Sequence, residues 1–246
     1  MDTDNSISIS EPFLHYKEDE QNEEIEREIA QKIREGFIIK VFGIMTYQVI
    51  LTSLVICLGF LSSSFKDYLR DSTLIYIIAF IIFFAFLLAP IFYPKLYQSV
   101  PLNYISLTIF TLSFSWIIAS TVCMYSSSHV MIVLFLTFVM IVTLTIYAFK
   151  ADKDLTTAGG VLISCLVLLI FSTILAIFIN ISILYILLDF ISIILLSTYL
   201  MYDIQLIIGE KRMKYSEDDY ILAAVQIYLD VINLFVTLFQ LFGQKE

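Results

Sequence analysis

Along this chain the apolar positions follow neither the two-residue alternation of a half-buried strand nor the one-sided stripe of a surface helix. They come in continuous runs. Reading runs of about 20 apolar residues as helices that cross a hydrocarbon layer predicts seven, over residues 38–62, 74–93, 102–122, 130–149, 158–180, 183–208 and 221–243. The stretches between them, such as 63–73, 94–101, 123–129, 150–157 and 209–220, are too short to hold an extramembrane domain. The fold class that follows is all-α: an integral membrane protein built as a seven-helix transmembrane bundle. The last run is polar enough that six spans plus a re-entrant C-terminal segment stands as the alternative.

Composition strengthens the reading. The chain is 59% hydrophobic and 15% charged, with a mean hydropathy of +0.90, against about 45–50% and 25% in soluble domains. Charge then divides it. The first 36 residues hold 11 acids against Lys17, Arg27, Lys32 and Arg34, which is −7 of the total −9. Residues 1–36 are therefore expected to be an acidic tail, mostly disordered, and residues 37–246 the transmembrane domain. Within the tail Ile25, Ile29, Ile33 and Phe37 recur every four residues and would give a helix at the membrane interface one thin apolar stripe.

The other 210 residues carry 10 bases and 12 acids, so no basic face exists to bind nucleic acid. Cys57, Cys123 and Cys165 lie in or beside apolar runs without metal spacing, as small buried hydrophobes do. The acidic N-terminus has no cleavable-signal pattern, and the first span is expected to serve as its own targeting signal. Lys and Arg on alternate sides of the seven spans sum to 11 and 3. The positive-inside bias puts the N-terminus and the loop of Lys211, Arg212 and Lys214 in the cytosol.

Acids inside spans cost at least about 2.5–3.5 kcal/mol when ionised at the bilayer centre, so they default to functional candidates. There are three: Asp189, Asp203 and Asp230. On the sixth span Asp189, Ser192, Tyr199 and Asp203 share one helical face, and on the seventh Asp219, Gln226, Asp230, Asn233, Thr237 and Gln240 share another. Two such stripes avoid lipid by facing each other or a watered path. Packing glue is one use of them. A sharper use pairs Asp203 with Asp230: two carboxyls in a low-dielectric site cannot both ionise cheaply, so they share a proton. Holding it ties the helices together. Losing it sets like charges face to face and leaves acceptor-only oxygens suited to a hard cation such as Ca²⁺. Ser106, Ser113 and Ser120 on the third span, and Gly159, Gly160 and Ser164 on the fifth, read as small-residue packing seams.

Segments 34–48, 144–149 leading to Asp154, 202–209 with Tyr202-Asp203-Ile204-Gln205, 216–224 and 228–235 with Tyr228-Leu229-Asp230 together resemble the transmembrane Bax inhibitor motif family. The branch is similar to Lifeguard or the Golgi anti-apoptotic proteins, and the likeness covers residues 34–243 in order. It implies a bundle that leaks Ca²⁺ from endoplasmic reticulum or Golgi stores and restrains apoptosis, with no permanently bound cofactor and calcium as the permeant ion. Partners implied are the lipid bilayer, apoptosis regulators or calcium-release channels, and a second copy in a homo-oligomer. By the resemblance Asp203 and Asp230 are the pH sensor and pore gate, touching calcium in transit, and Asp218 matches an acidic position implicated in ion handling. Asp219, Asp189, Asn233 and Gln226 complete the expected ion path. Prokaryotic relatives latch the pair with an arginine from the end of the second span. Here the nearby base is Lys95, whose point charge cannot make the bidentate bonds of a guanidinium. Asp189 has no counterpart in the family motif; it is either a cation ligand at the outer mouth or an interfacial residue facing water.

An enzyme is not expected. An intramembrane aspartyl protease would place one aspartate after a tyrosine, as in Tyr202-Asp203, but its second motif is Gly-x-Gly-Asp, and this chain has Ile227-Tyr228-Leu229-Asp230. Two further readings are a proton-coupled transporter and a non-conducting scaffold that binds cell-death regulators. The first calls for an inverted repeat, which the sequence does not show. The second predicts that both aspartates tolerate Asn.

Overall fold

The computed structural model describes residues 10–179, 181–209 and 214–242; Lys211 and Arg212 of the basic loop lie outside them. The helices are α1 (Ser10–Leu61), α2 (Ser63–Asp71), α3 (Thr73–Phe92), α4 (Lys95–Gln98), α5 (Leu102–Val122), α6 (Ser127–Lys150), α7 (Gly159–Ile179), α8 (Ser182–Ile208) and α9 (Tyr220–Phe242). Single 3-10 turns at Leu155–Ala158 and Glu217–Asp219 lead into α7 and α9. Seven of the helices are long and apolar enough to cross a membrane. They match the seven apolar runs, because with no water to take up its polar groups a backbone crossing lipid must bond internally. α9 runs unbroken for 23 residues, about 34 Å at 1.5 Å per residue. It lacks the turn that a re-entrant hairpin requires.

Hydropathy alone does not rank the spans, but packing does. α9 has 72% and α5 61% of the apolar window buried, against 11–22% for the other five. α9 is thus the central post, packed against α8, α1, α6 and α5, while α5 also meets α1 and α3. The outer helices turn Phe92, Phe138, Phe171, Phe178 and Ile194 outward. No soluble surface carries apolar exposure on this scale, and a hydrocarbon solvent explains it.

The small-residue seams divide. Ser106, Ser113 and Ser120 are all buried, where α5 meets its neighbours. On α7 only Gly159 is a close approach: a Cβ there would lie 2.8 Å from the Tyr202 hydroxyl, whereas one on Gly160 would meet nothing within 4 Å. Ser164 is exposed, so the expected seam stops at the first turn of the helix. Among the spans α7 leans chiefly on α8.

The acidic segment is helical from Ser10 and continuous with the first span, giving a 52-residue α1. Ile25, Ile29 and Ile33 stay exposed, and the stripe first meets the bundle at Phe37, which is 3% exposed. Inside the bundle, α1 is tied to α5 and α9 by hydroxyls. Thr52 Oγ1 lies 2.7 Å from the Tyr228 hydroxyl and 2.8 Å from Ser115 Oγ, and Gln48 Nε2 donates to Thr111 Oγ1 at 3.1 Å.

Candidate functional site

The polar stripes of α8 and α9 do face each other, since these two helices form the most extensive pairing in the bundle. Asp203 lies five residues before the end of α8 and Asp230 ten residues into α9. Both are buried, at 7% and 9% exposure, and their carboxyls lie within hydrogen-bonding reach of each other. A hydrogen bond between two carboxyls needs one proton between them, because two carboxylates offer only acceptors.

The pair lines a cavity of about 400 Å³ with Tyr199, Tyr202, Tyr215, Gln226 and Asn233, and Gly159 forms part of its wall. The absent side chain at Gly159 is what lets Tyr202 lie there. Tyr199 Oη, Gln226 Oε1 and Asp230 Oδ2 are buried and find no hydrogen-bond partner among the described residues. Buried polar atoms are rarely left so. Three of them on one cavity describe a surface built for water or a cation rather than for packing.

Along the same seam a second cavity, about 420 Å³, is lined by Asp189, Ser192, Thr237 and Gln240 among others. Leu196 and Asn233 on the first cavity are each four residues from Ser192 and Thr237 on the second. One helical turn, about 6 Å, therefore separates the two along each helix. Asp189 belongs to this far end and not to the pair.

The remaining sequence candidates lie elsewhere. Lys95 is exposed on α4 and does not line the cavity of the pair. Asp219 accepts a hydrogen bond from Gln98 Nε2 at 3.1 Å, and Asp218 is exposed beside it. Both acids lie in the 3-10 turn that leads into α9, and neither lines the cavity of the pair.

Sequence reasoning about sites passed over Arg34. Its guanidinium donates to Leu206 O at 2.5 Å, Tyr215 O at 2.8 Å and Ile208 O at 3.1 Å, lies 3.7 Å from Glu217 and stacks 4.5 Å over the Phe37 ring. Two of those carbonyls are end-of-helix acceptors of α8, which a cation caps well. Gly209 closes the helix at φ 73°, and a Cβ there would strike the guanidinium. The third bond, together with Tyr215 N donating to Leu206 O at 3.2 Å, straps the following loop down. The Tyr215 ring is thereby held against the aspartate cavity. Burial pushes its phenol well above the usual range, and the Asp203 and Asp230 charges add to that. One signal was available: an arginine at the cytosolic border of a span is a ready partner for the carbonyl end of a neighbouring helix.

The family model described as "Inhibitor of apoptosis-promoting Bax1" matches residues 34–246 of this chain. "Protein lifeguard 3" of Mus musculus is 29% identical over 220 residues, covering 88% of this chain and 71% of the relative. "Protein lifeguard 3" of Homo sapiens is 29% identical over 222 residues, with the same shares. "BI1-like protein" of Arabidopsis thaliana is 31% identical over 219 residues, covering 87% of this chain and 83% of the relative. The matched region begins at Arg34 and leaves most of the acidic tail outside.

Proposed function

We propose, on the premise that this chain belongs to the Bax inhibitor and Lifeguard family of non-catalytic membrane proteins, that it is a pH-sensitive calcium leak channel gated by Asp203 and Asp230. Its work is to lower the calcium held in an intracellular store, endoplasmic reticulum or Golgi, and so to restrain apoptosis. The N-terminal helix faces the cytosol. One observation carries the reading: two buried carboxyls face each other on a cavity where Tyr199 Oη, Gln226 Oε1 and Asp230 Oδ2 find no hydrogen-bond partner among the described residues. With one proton the pair is a clasp between α8 and α9. Without it, two negative charges face each other in a poorly screened site, and their repulsion is relieved by parting the helices or by admitting a cation. Gln226 and Asn233 supply neutral oxygens beside the pair. Asp218 and Asp219 place negative charge ahead of α9 on the cytosolic side, and Lys95, on the short helix whose Gln98 bonds Asp219, tunes that charge rather than latching the pair.

The test is Ca²⁺ flux into dye-loaded liposomes holding the full chain, at about pH 6 and pH 8 to bracket a proton shared by carboxyls. Flux that differs between the two pH values in wild type, and loses that difference in Asp203→Asn and Asp230→Asn, is the expected result. Flux with an unchanged pH response in both variants would falsify the gate. No flux in any protein at either pH would move the function to a non-conducting scaffold, whose partner-binding element would be the exposed acidic helix with its Ile25, Ile29 and Ile33 stripe.

A further inference from the structure

The second cavity on the α8–α9 seam gathers side chains that nearly all carry a polar end, in a chain whose spans are mostly apolar. Leu188 is its sole lining side chain of carbon and hydrogen alone. Asp189 brings the carboxylate, and Tyr185, Ser192, Thr173 and Thr237 bring hydroxyls from α7, α8 and α9.

What those hydroxyls do with their protons decides what the cavity accepts. Ser192 Oγ donates to Leu188 O at 2.7 Å, Thr237 Oγ1 to Asn233 O at 2.8 Å, Thr173 Oγ1 to Leu169 O at 2.9 Å and the Tyr185 hydroxyl to Ala176 O at 3.0 Å. A hydroxyl has one proton, and each of these four is committed to a backbone carbonyl. Toward the cavity they present lone pairs only. With the Asp189 carboxylate and an amide oxygen from Gln240, acceptors outnumber donors on the lining, where the donors are the Gln240 amide NH₂ and the Tyr125 hydroxyl. Back-bonding by a lone Ser or Thr is ordinary helix behaviour; four such oxygens from three helices converging with an acid on one hollow is not.

Acceptor oxygens on a roomy cavity with one negative charge fit a hydrated hard cation. Among the described residues no group of three His, Cys, Asp or Glu gathers, so the lining has the form of a weak transit site and not of a tight resident centre. A single carboxylate corresponds to an affinity on the order of 10⁻⁴–10⁻³ M. We infer that this far cavity binds a hydrated divalent cation of the calcium type through Asp189 and the surrounding hydroxyl oxygens, and loads the seam that leads to Asp203 and Asp230. The loading role rests on the conducting reading above; the binding does not.

Binding is tested with Tb³⁺ as the probe, whose emission is excited through nearby tyrosine, on the full chain in lipid nanodiscs carrying Asp203→Asn and Asp230→Asn to silence the other cavity. The expected result is a component of emission that Ca²⁺ displaces and K⁺ does not, that falls with Tyr185→Phe and that disappears when Tyr125→Phe is added. Asp189→Asn weakens its apparent affinity about tenfold, the scale of one unit charge at contact in a partly watered site. Ser192→Ala combined with Thr237→Val, which keeps the carboxylate and removes two oxygens, weakens it in the same direction and serves if Asp189→Asn does not assemble. Emission unchanged by every one of these substitutions overturns the site. In flux measurements Asp189→Asn raises the half-saturating Ca²⁺ on its own side while leaving the pH response intact. Wild-type chain that binds Tb³⁺ in this way but passes no Ca²⁺ sinks the leak and keeps the site; flux with no such binding does the reverse.

Discussion

Thr52 shows how much a single side chain carries in this bundle. Its hydroxyl, 1% exposed, touches the Tyr228 hydroxyl, Ser115 Oγ and Gln48 O, so one oxygen joins α1, α5 and α9. Tyr228→Phe removes one of those contacts at nearly constant volume. The expected loss is about 0.6–1.7 kcal/mol, the range of interhelical hydrogen bonds inside membranes, read as a lowered thermal midpoint in detergent without loss of helix content. Gly209→Ala acts differently, through the backbone. At φ 73° an L side chain is strained by about 1–2 kcal/mol, and its Cβ would displace the Arg34 guanidinium. That variant should lose stability and expose the α8 terminus together.

The helix ends determine how the elements are joined. Arg34 reaches from α1 to three carbonyls at the end of α8 and in its following loop, and Gln205 reaches from α8 to the connection after α6, accepting from Leu155 N at 2.9 Å and donating to Lys153 O at 3.0 Å. The charged hydrogen bonds of Arg34 contribute about 1.5–3 kcal/mol each and the neutral amide bonds of Gln205 about 0.5–1.5 kcal/mol. Arg34→Ala should raise amide hydrogen exchange at Tyr215 and Gly209 by at least about tenfold, since roughly 1.4 kcal/mol of lost clamping is a factor of ten. Arg34→Lys should recover part of it, because an ammonium lacks the planar fork that spans separate carbonyls. If exchange at Tyr215 is the same in all three proteins, the loop is not strapped by Arg34.

For the whole molecule the arrangement is a post and a wall. α9 and α5 stand inside, and the lipid-facing helices hold two cavities against the α8–α9 seam. The charge asymmetry of 11 against 3 bases predicts an orientation with the N-terminal helix in the cytosol. In sealed vesicles trypsin should therefore reach Arg27 on the exposed acidic helix only from the cytosolic face; cleavage from the opposite face alone would invert the topology. Most of this molecule was legible in advance, because a membrane span announces itself by length and hydropathy without needing to know its neighbours. The facing of Asp203 and Asp230 was legible too, as stripes at helical spacing on successive spans. Arg34 was not, because its partners are backbone carbonyls more than 170 residues away, and a carbonyl leaves no mark in the sequence. The departure of Lys95 from the pair was hidden for a related reason. Proximity in the chain to a span's end says nothing about which way a short helix such as α4 turns.

The amino-acid sequence by itself determined the solvent, the number of helices and which two faces must hide from lipid. All three follow from summed transfer energies and helical periodicity, which are properties of segments. Tertiary structure alone decided which helix stands at the centre, that the polar seam splits into two cavities one turn apart, and that Asp189 keeps company with hydroxyls in the second of them and not with the aspartate pair. Those are outcomes of packing between segments distant in the chain, where the rotation and depth of each helix are set by the side chains of its neighbours.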